Sequence, residues 1–91
     1  MADQTDRTVN LDDLQADQQV YTSDGRRLGY VEGILDDVET GERFLEVSTR
    51  VLHNYYVPES AIKNAVIGRP VLLNVSHDEA VERFRNRPKA V

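Results

Sequence analysis

The chain of 91 residues contains no cysteine and no tryptophan. Without cysteine, disulfide bridges, thiol nucleophiles and thiolate metal ligands are excluded. No apolar run approaches the roughly 18–20 residues that a membrane-spanning helix needs, so membrane insertion is not expected. The N-terminal ten residues have neither the basic start nor the apolar core of a signal peptide, so we expect a cytoplasmic protein.

Charged residues are present in an ordinary share but are unevenly distributed. The chain is 40% hydrophobic and 30% charged, which is the balance of one small globular domain. Its formal net charge of −5 combines an acidic N-terminal segment, an acidic body and a basic tail. An acidic body repels phosphate backbones, so nucleic-acid binding is disfavoured. Only the tail could contact RNA, through Arg83, Arg85, Arg87 and Lys89.

Three segments follow from these patterns. Residues 1–17 hold five acids and one arginine without apolar periodicity, which predicts a mobile acidic arm. Patterns typical of β-strands occupy residues 18–76, and a capping helix with the basic tail is expected over residues 77–91. Within the arm, Leu11 to Leu14 are predicted to form a short helical turn.

Five short strands separated by tight turns are predicted within the body. They cover residues 18–22, 27–36, 43–49, 54–57 and 69–75. Asp24 and Gly25 form the first hairpin turn, because Asp-Gly is a strong hairpin signal, and residues 39–42 form the second. Pro58 ends the fourth strand and begins one helical turn over residues 58–62.

Two strands carry patterns that bear on the shape and surface of the sheet. Gly29 and Gly33 lie four residues apart in the second strand, and because glycine weakens a strand, they predict a strong bend. In the fifth strand, Val71 and Leu73 share one face, opposite Leu72. These features predict a mainly β fold: a small, strongly bent β-barrel of about five to six strands with a C-terminal helix.

The C-terminal helix has a well-marked beginning. Ser76 and Glu79 form a capping box, in which the serine hydroxyl accepts one free N–H and the glutamate reaches back to another. Glu79 also lies four residues before Arg83, which is the favourable order for an ion pair on a helix. The apolar stripe of this helix is small and consists of Ala80, Val81 and Phe84.

The second strand is apolar on both faces, whereas a small barrel has only one interior. The surplus apolar surface must lie under the helix or against another subunit, and the helix stripe is too small to cover all of it. We therefore expect a homodimer or contact with another protein. Tyr55 and Tyr56 are consecutive on a strand, so one faces the core and the other faces outward. The candidate interface residues are Leu28, Tyr30, Ile34, Leu52, Tyr55 and Tyr56.

Catalytic and metal sites are weighed against simpler explanations of the same residues. Ser76 and His77 are adjacent, but the serine is committed as a helix cap, so no catalytic residue is predicted. The acids within residues 36–42 lack the spacing of a calcium-binding loop, and a solvated turn explains them. His53 and His77 have no cysteine or third histidine to complete a zinc site. No metal or cofactor is therefore predicted.

Three segments resemble the PRC-barrel family. They are the pattern D-G-x-x-L-G-x-V at residues 24–31, the acidic turn LDDVETGE at residues 35–42 and V-P-x-S-A-I at residues 57–62. PRC-barrel domains form the cytoplasmic part of the photosynthetic reaction-centre H subunit and the C-terminal half of a bacterial ribosome-maturation factor. The chain also resembles stand-alone bacterial proteins of this family. The resemblance implies an interaction module without catalytic residues, but the membrane helix of the first protein and the second barrel of the other are not expected here.

The sequence thus predicts a non-catalytic scaffold that binds protein and pairs with itself. Two alternatives stay open, an RNA- or ribosome-associated factor that uses the basic tail and a small ligand-binding barrel. The first alternative requires salt-sensitive binding to RNA. The second requires a dry apolar pocket, for which a core of this size has little room.

Overall fold

A computed structural model of the chain describes residues 8–9, 11–49, 51 and 53–88. The strands are β1 (Thr8–Val9), β2 (Gln19–Tyr21), β3 (Arg27–Asp36), β4 (Arg43–Ser48), β5 (Asn54–Pro58), β6 (Ile62–Ala65) and β7 (Val71–Leu73). One helix, α1 (His77–Arg83), follows the last strand. Short 3-10 turns cover Leu11–Asp13 and Glu59–Ala61.

The strands form one mixed sheet in the order β1-β6-β7-β2-β3-β4-β5. The pairs β1–β6 and β2–β7 are parallel, and the remaining neighbours are antiparallel. Within the described part of the chain, β1 and β5 lie at the two edges of an open ladder. The prediction of a mainly β fold with one C-terminal helix is confirmed.

The predicted strands agree with the structure best between the two tight turns. β3 begins and ends at the predicted residues, and β2, β4 and β5 agree within one residue. The predicted fifth strand over residues 69–75 is shorter, because only Val71–Leu73 pair. β6 was not predicted: its sequence IKNA has few apolar residues, and a register shift between Ile62 and Asn64 breaks its alternation.

The two strand glycines have different structural roles. A Cβ atom at Gly29 would lie 2.5 Å from the carbonyl oxygen of Ser48 and 2.8 Å from Cγ1 of Val47. β3 and β4 therefore approach too closely there for any side chain. Gly33 lies at a register shift of the β3–β4 ladder, and the nearest atom to its Cβ position is 4.0 Å away. Both glycines thus border a register shift of β3, because the β2–β3 ladder also shifts between the pairs Val20–Gly29 and Tyr21–Arg27. Gly29 in addition permits the close approach of β4.

The core draws on almost every strand and on the helix. Its largest fully buried side chains are Leu45, Ile62, Leu73, Val20, Val47, Val57 and Val71. Ala80 of α1 and Phe84, which caps the end of the helix, add to this core, and α1 packs against β3 and β5. Leu11 is only 4% exposed and belongs to the same cluster. The packed domain therefore extends further toward the N-terminus than the predicted boundary at residue 18, and residues 1–7 lie outside the described residues.

The beginning of α1 follows the predicted cap. The Ser76 hydroxyl accepts a hydrogen bond from the N–H of Glu79 at 3.2 Å, so Ser76 is the N-cap. The Glu79 carboxylate accepts from Arg83 at 2.5 Å, which confirms the i,i+4 pair. Glu79 thus takes part in the cap through its backbone N–H, while its side chain forms an ion pair with Arg83 on the helix surface.

Candidate functional site

Two of the predicted interface residues belong to the core. Leu28 is 5% exposed and Tyr55 is 7% exposed, so neither can form an exposed contact surface. Both residues belong to the core cluster, and α1 packs against β3 and β5, the strands that carry them. The Tyr55 ring meets the His53 ring edge-on, and its hydroxyl lies 3.0 Å from His53 Nε2. Tyr55 therefore buries its ring and satisfies its polar end locally.

The remaining predicted residues are partly covered by neighbours on the same chain. Ile34 packs against the core cluster. Tyr30 lies beneath the guanidinium of Arg27, which is 5.1 Å from the ring centre. Tyr56 is half-buried, which confirms that Tyr55 and Tyr56 divide between core and exterior. Leu52 lies outside the described residues. The six candidates therefore do not form one exposed patch.

β7 carries one of the large apolar side chains that are exposed among the described residues, and the others are Val38, Val51 and Ile67. Val71 and Leu73 are 0% and 1% exposed, whereas Leu72 between them is 39% exposed on the opposite face. This alternation is the predicted one. Because β7 pairs with β2 on one side and with β6 on the other, Leu72 lies in the interior of the sheet face. Its direct cross-strand neighbours are Tyr21 and Asn64.

Two adjoining clefts flank Leu72 and share it together with Pro70. The larger has a volume of about 850 Å³ and is lined by Tyr21, Thr22, Ser23, Gly25, Lys63, Pro70, Leu72, Leu73 and Asn74. The smaller has a volume of about 460 Å³ and is lined by Asn64, Val66, Arg69, Pro70 and Leu72. We call these residues together the Leu72 cleft. Its described lining includes two cations and no carboxylate, in a chain whose net charge is −5.

One side chain fixes the turn that borders the cleft. The Gln18 amide donates to the carbonyl oxygens of Val66, at 3.1 Å, and Arg69, at 2.8 Å. Gly68 between them has a φ of 82°, which glycine adopts without strain. On the neighbouring strand, the Tyr21 hydroxyl donates to Gln19 at 2.8 Å. The floor and the border of the cleft are therefore held in place before any partner binds.

The predicted hairpin turn forms the other end of the cleft and is attached to α1. Gly25 has a φ of 80°, as the tight turn requires. The buried Thr22 hydroxyl contacts the Asp24 carboxylate, which also accepts from the N–H of His77 at 3.2 Å. The pKa of Asp24 is lowered mainly by the hydrogen bond from the Thr22 hydroxyl, and the N–H of His77 contributes. Asp24 therefore joins the turn to the helix, a role that the hairpin signal does not reveal.

Another of the exposed apolar side chains lies on the acidic turn between β3 and β4. Val38 is 56% exposed at this turn. The Asp37 carboxylate accepts from the N–H groups of Glu39, at 2.8 Å, and Thr40, at 3.0 Å. At the base of the turn, Arg43 binds Asp36 at 3.0 Å, and that contact is the main cause that raises the pKa of Arg43. These carboxylates thus build the turn itself.

The basic tail is engaged with its own domain. Arg83 binds Glu79, and Arg87 lies 3.7 Å from Glu46 with its guanidinium over the ring of Tyr56. The N–H of Tyr56 donates to the carbonyl oxygen of Phe84 at 2.8 Å, so the segment after α1 covers the edge strand β5. Fewer tail cations are therefore available to phosphate than the sequence alone suggests.

No protein-family model, no curated protein and no solved structure matches this chain. The resemblance to the PRC-barrel family accordingly stays a prediction from three short segments. In the described part of the chain, no helix has the length and apolar character needed to cross a membrane. Over the same residues, no group of three histidine, aspartate or glutamate side chains is placed to hold a metal ion. The Leu72 cleft is therefore the feature from which function is argued.

Proposed function

We propose that the chain is a non-catalytic protein-interaction module, a PRC-barrel-like domain that pairs with a second copy of itself through the Leu72 cleft. The single observation that carries this proposal is the exposure of Leu72 between two buried neighbours, at the junction of two clefts. Exposed apolar surface inside a groove with a polar rim is typical of a contact site. The proposed interface therefore lies on the face of β7 that carries Leu72, and not at the six residues named from the sequence.

The open shape of the cleft favours a protein over a small molecule. The cleft lies on the outer face of β2, β6 and β7, whereas the core beneath it is filled by fully buried Val20 and Val71. A small-molecule site usually encloses most of its ligand. A surface groove with an apolar floor and charged border instead fits a folded partner, which supplies its own shape and charge.

The magnitude of the apolar contribution sets what a partner must provide. Full burial of a leucine side chain is worth about 1.5–3 kcal/mol, so covering the exposed 39% of Leu72 yields about 1 kcal/mol. A micromolar dimer needs about 8 kcal/mol. Leu72 alone is therefore insufficient, and Tyr21, Pro70 and the cations Lys63 and Arg69 must take part.

RNA binding receives less support from the same contacts. Arg83 and Arg87 already bind carboxylates of their own domain. Lys63 and Arg69 line the cleft and do not belong to the basic tail. A phosphate backbone is bound by many cations together, and the acidic surface opposes it.

Light scattering after size-exclusion chromatography tests the proposal. We expect the wild-type chain to show twice its monomer mass of 10.3 kDa and the Leu72→Lys variant to show the monomer mass. Val51→Lys is the matched control, because Val51 is 80% exposed and does not line the cleft. A wild-type chain that stays monomeric up to about 1 mM, the range of very weak binding, would refute self-association.

A further inference from the structure

We infer that the occupant of the Leu72 cleft is the acidic turn between β3 and β4 of a second copy, with Val38 as its apolar anchor. This inference rests on the proposed function and names the surface that the cleft receives. The inference connects two separate features of the fold. One is a groove with a cationic border, and the other is an exposed apolar side chain on an acidic turn.

The acidic turn is organised before binding. The Asp37 carboxylate holds the N–H groups of Glu39 and Thr40, and the N–H of Gly41 donates to the Asp37 carbonyl oxygen at 2.8 Å. The N–H of Asp37 donates in turn to the carbonyl oxygen of Glu42 at 2.8 Å, which closes the base of the turn. A rigid segment loses little conformational entropy when it binds. Val38 is therefore presented outward on a fixed support.

The charges of the two surfaces are complementary. Lys63 and Arg69 border the cleft, and neither makes an ion pair with a carboxylate of the described residues. Glu39 and Glu42 flank the anchor on the turn, and both are exposed. Opposite charges at the rim of an interface fix its orientation and speed association. The contact should accordingly weaken as salt concentration rises.

The positions of the two surfaces require a second molecule. The cleft borders the β2–β3 turn at Gly25, close to the start of β3, whereas Val38 follows the end of β3. Val38 is 56% exposed in this structure, so it does not fill the cleft of its own chain. Two copies with antiparallel β3 strands bring each turn to the other's cleft, which closes a symmetric dimer.

Complementation between two variants tests the inference. Val38→Lys replaces the apolar anchor of the turn, and Leu72→Lys places a charge on the floor of the cleft. Both side chains are exposed, so each variant should still fold. We expect each variant alone to lose the dimer. An equimolar mixture should form a mixed dimer that is weaker than the wild type, because only one of its two contacts pairs an intact turn with an intact cleft. Native mass spectrometry with one variant isotope-labelled identifies the mixed dimer, and thermal melting of each variant confirms its fold.

A charge exchange provides the second measurement. Lys63→Glu should weaken the wild-type dimer by repulsion, and adding Glu39→Lys to the same chain should restore it. If Leu72→Lys abolishes the dimer while Val38→Lys leaves it intact, or if the mixture forms no more mixed dimer than either variant forms homodimer, the inference is overturned and the proposed function stands. If the wild-type chain itself is monomeric, both are overturned. Should either lysine variant unfold, Val38→Ser and Leu72→Ser replace the pair in the same mixture.

Discussion

Gly29 offers the most direct test of how closely β3 and β4 approach. Replacing it with alanine places a Cβ atom 2.5 Å from the carbonyl oxygen of Ser48 and 2.8 Å from Cγ1 of Val47. Ser48 pairs with Tyr30 on one side and with Asn54 on the other, so its carbonyl oxygen cannot withdraw without disturbing two ladders. Val47 is fully buried, so its side chain cannot swing out into solvent to make room. The new methyl group must therefore displace backbone.

The expected cost follows from these contacts. Overpacking a well-packed site typically costs about 1–3 kcal/mol, and the lower entropy of an unfolded chain with alanine returns about 0.4–1 kcal/mol. We expect Gly29→Ala to reduce the free energy of unfolding by about 1–2 kcal/mol. For a domain of this size, that corresponds to a fall in Tm of about 4–16 °C. Urea denaturation monitored by circular dichroism measures the first quantity, and calorimetry measures the second.

Gly33→Ala is the matched control, because it adds the same methyl group to the same strand. The nearest atom to its Cβ position is the Glu46 Oε1, at 4.0 Å, so no clash arises. We expect its free energy of unfolding to stay within about 0.5 kcal/mol of the wild type or to rise slightly. Equal stability of the two variants would show that the close approach of β3 and β4 at Gly29 is wrong.

Two further predictions concern single side chains near the cleft. The pKa of Asp24 is lowered below its ordinary value, chiefly because the Thr22 hydroxyl donates to its carboxylate. The stabilising effect of this carboxylate is therefore present above the ordinary pKa and lost as pH falls through the folded-state pKa. Tm measured from pH 5 downward should therefore fall more steeply for the wild type than for Asp24→Asn, and parallel curves would contradict this. Gln18→Leu removes the donors to Val66 and Arg69, which should cost about 1–3 kcal/mol in urea denaturation. Gln15→Leu is its control, because Gln15 is exposed, and equal losses would argue against the special role of Gln18.

Local signals in the sequence were sufficient to predict the bounds of most strands. β3 was predicted to its terminal residues because a turn with a glycine of positive φ lies on each side of it, at Gly25 and Gly41. The Ser76 cap and the alternation around Leu72 were predicted on equally local grounds. By contrast, β6 carries a register shift that disrupts its period of two, and β1 is only two residues long.

The interface could not be located from the sequence because its members meet only through long-range pairing. β3 is apolar on both faces, as predicted, but the sequence does not show that α1 packs against β3 and β5, the strands that carry Leu28 and Tyr55. Leu72 gains its importance from Tyr21, which lies beside it only because β2 and β7 pair in parallel. Such a neighbourhood has no signature within any short segment of chain.

The same parallel pair affects the order in which the molecule can fold. β2, β3, β4 and β5 follow one another as antiparallel neighbours, so their contacts are local and form rapidly. The pairing of Val20 with Val71 must wait until the last strand is available, because it closes a long loop of chain. The floor of the Leu72 cleft lies across this late junction. A partly folded chain therefore lacks the groove into which a second copy would dock, and assembly through it is restricted to molecules whose sheet is complete.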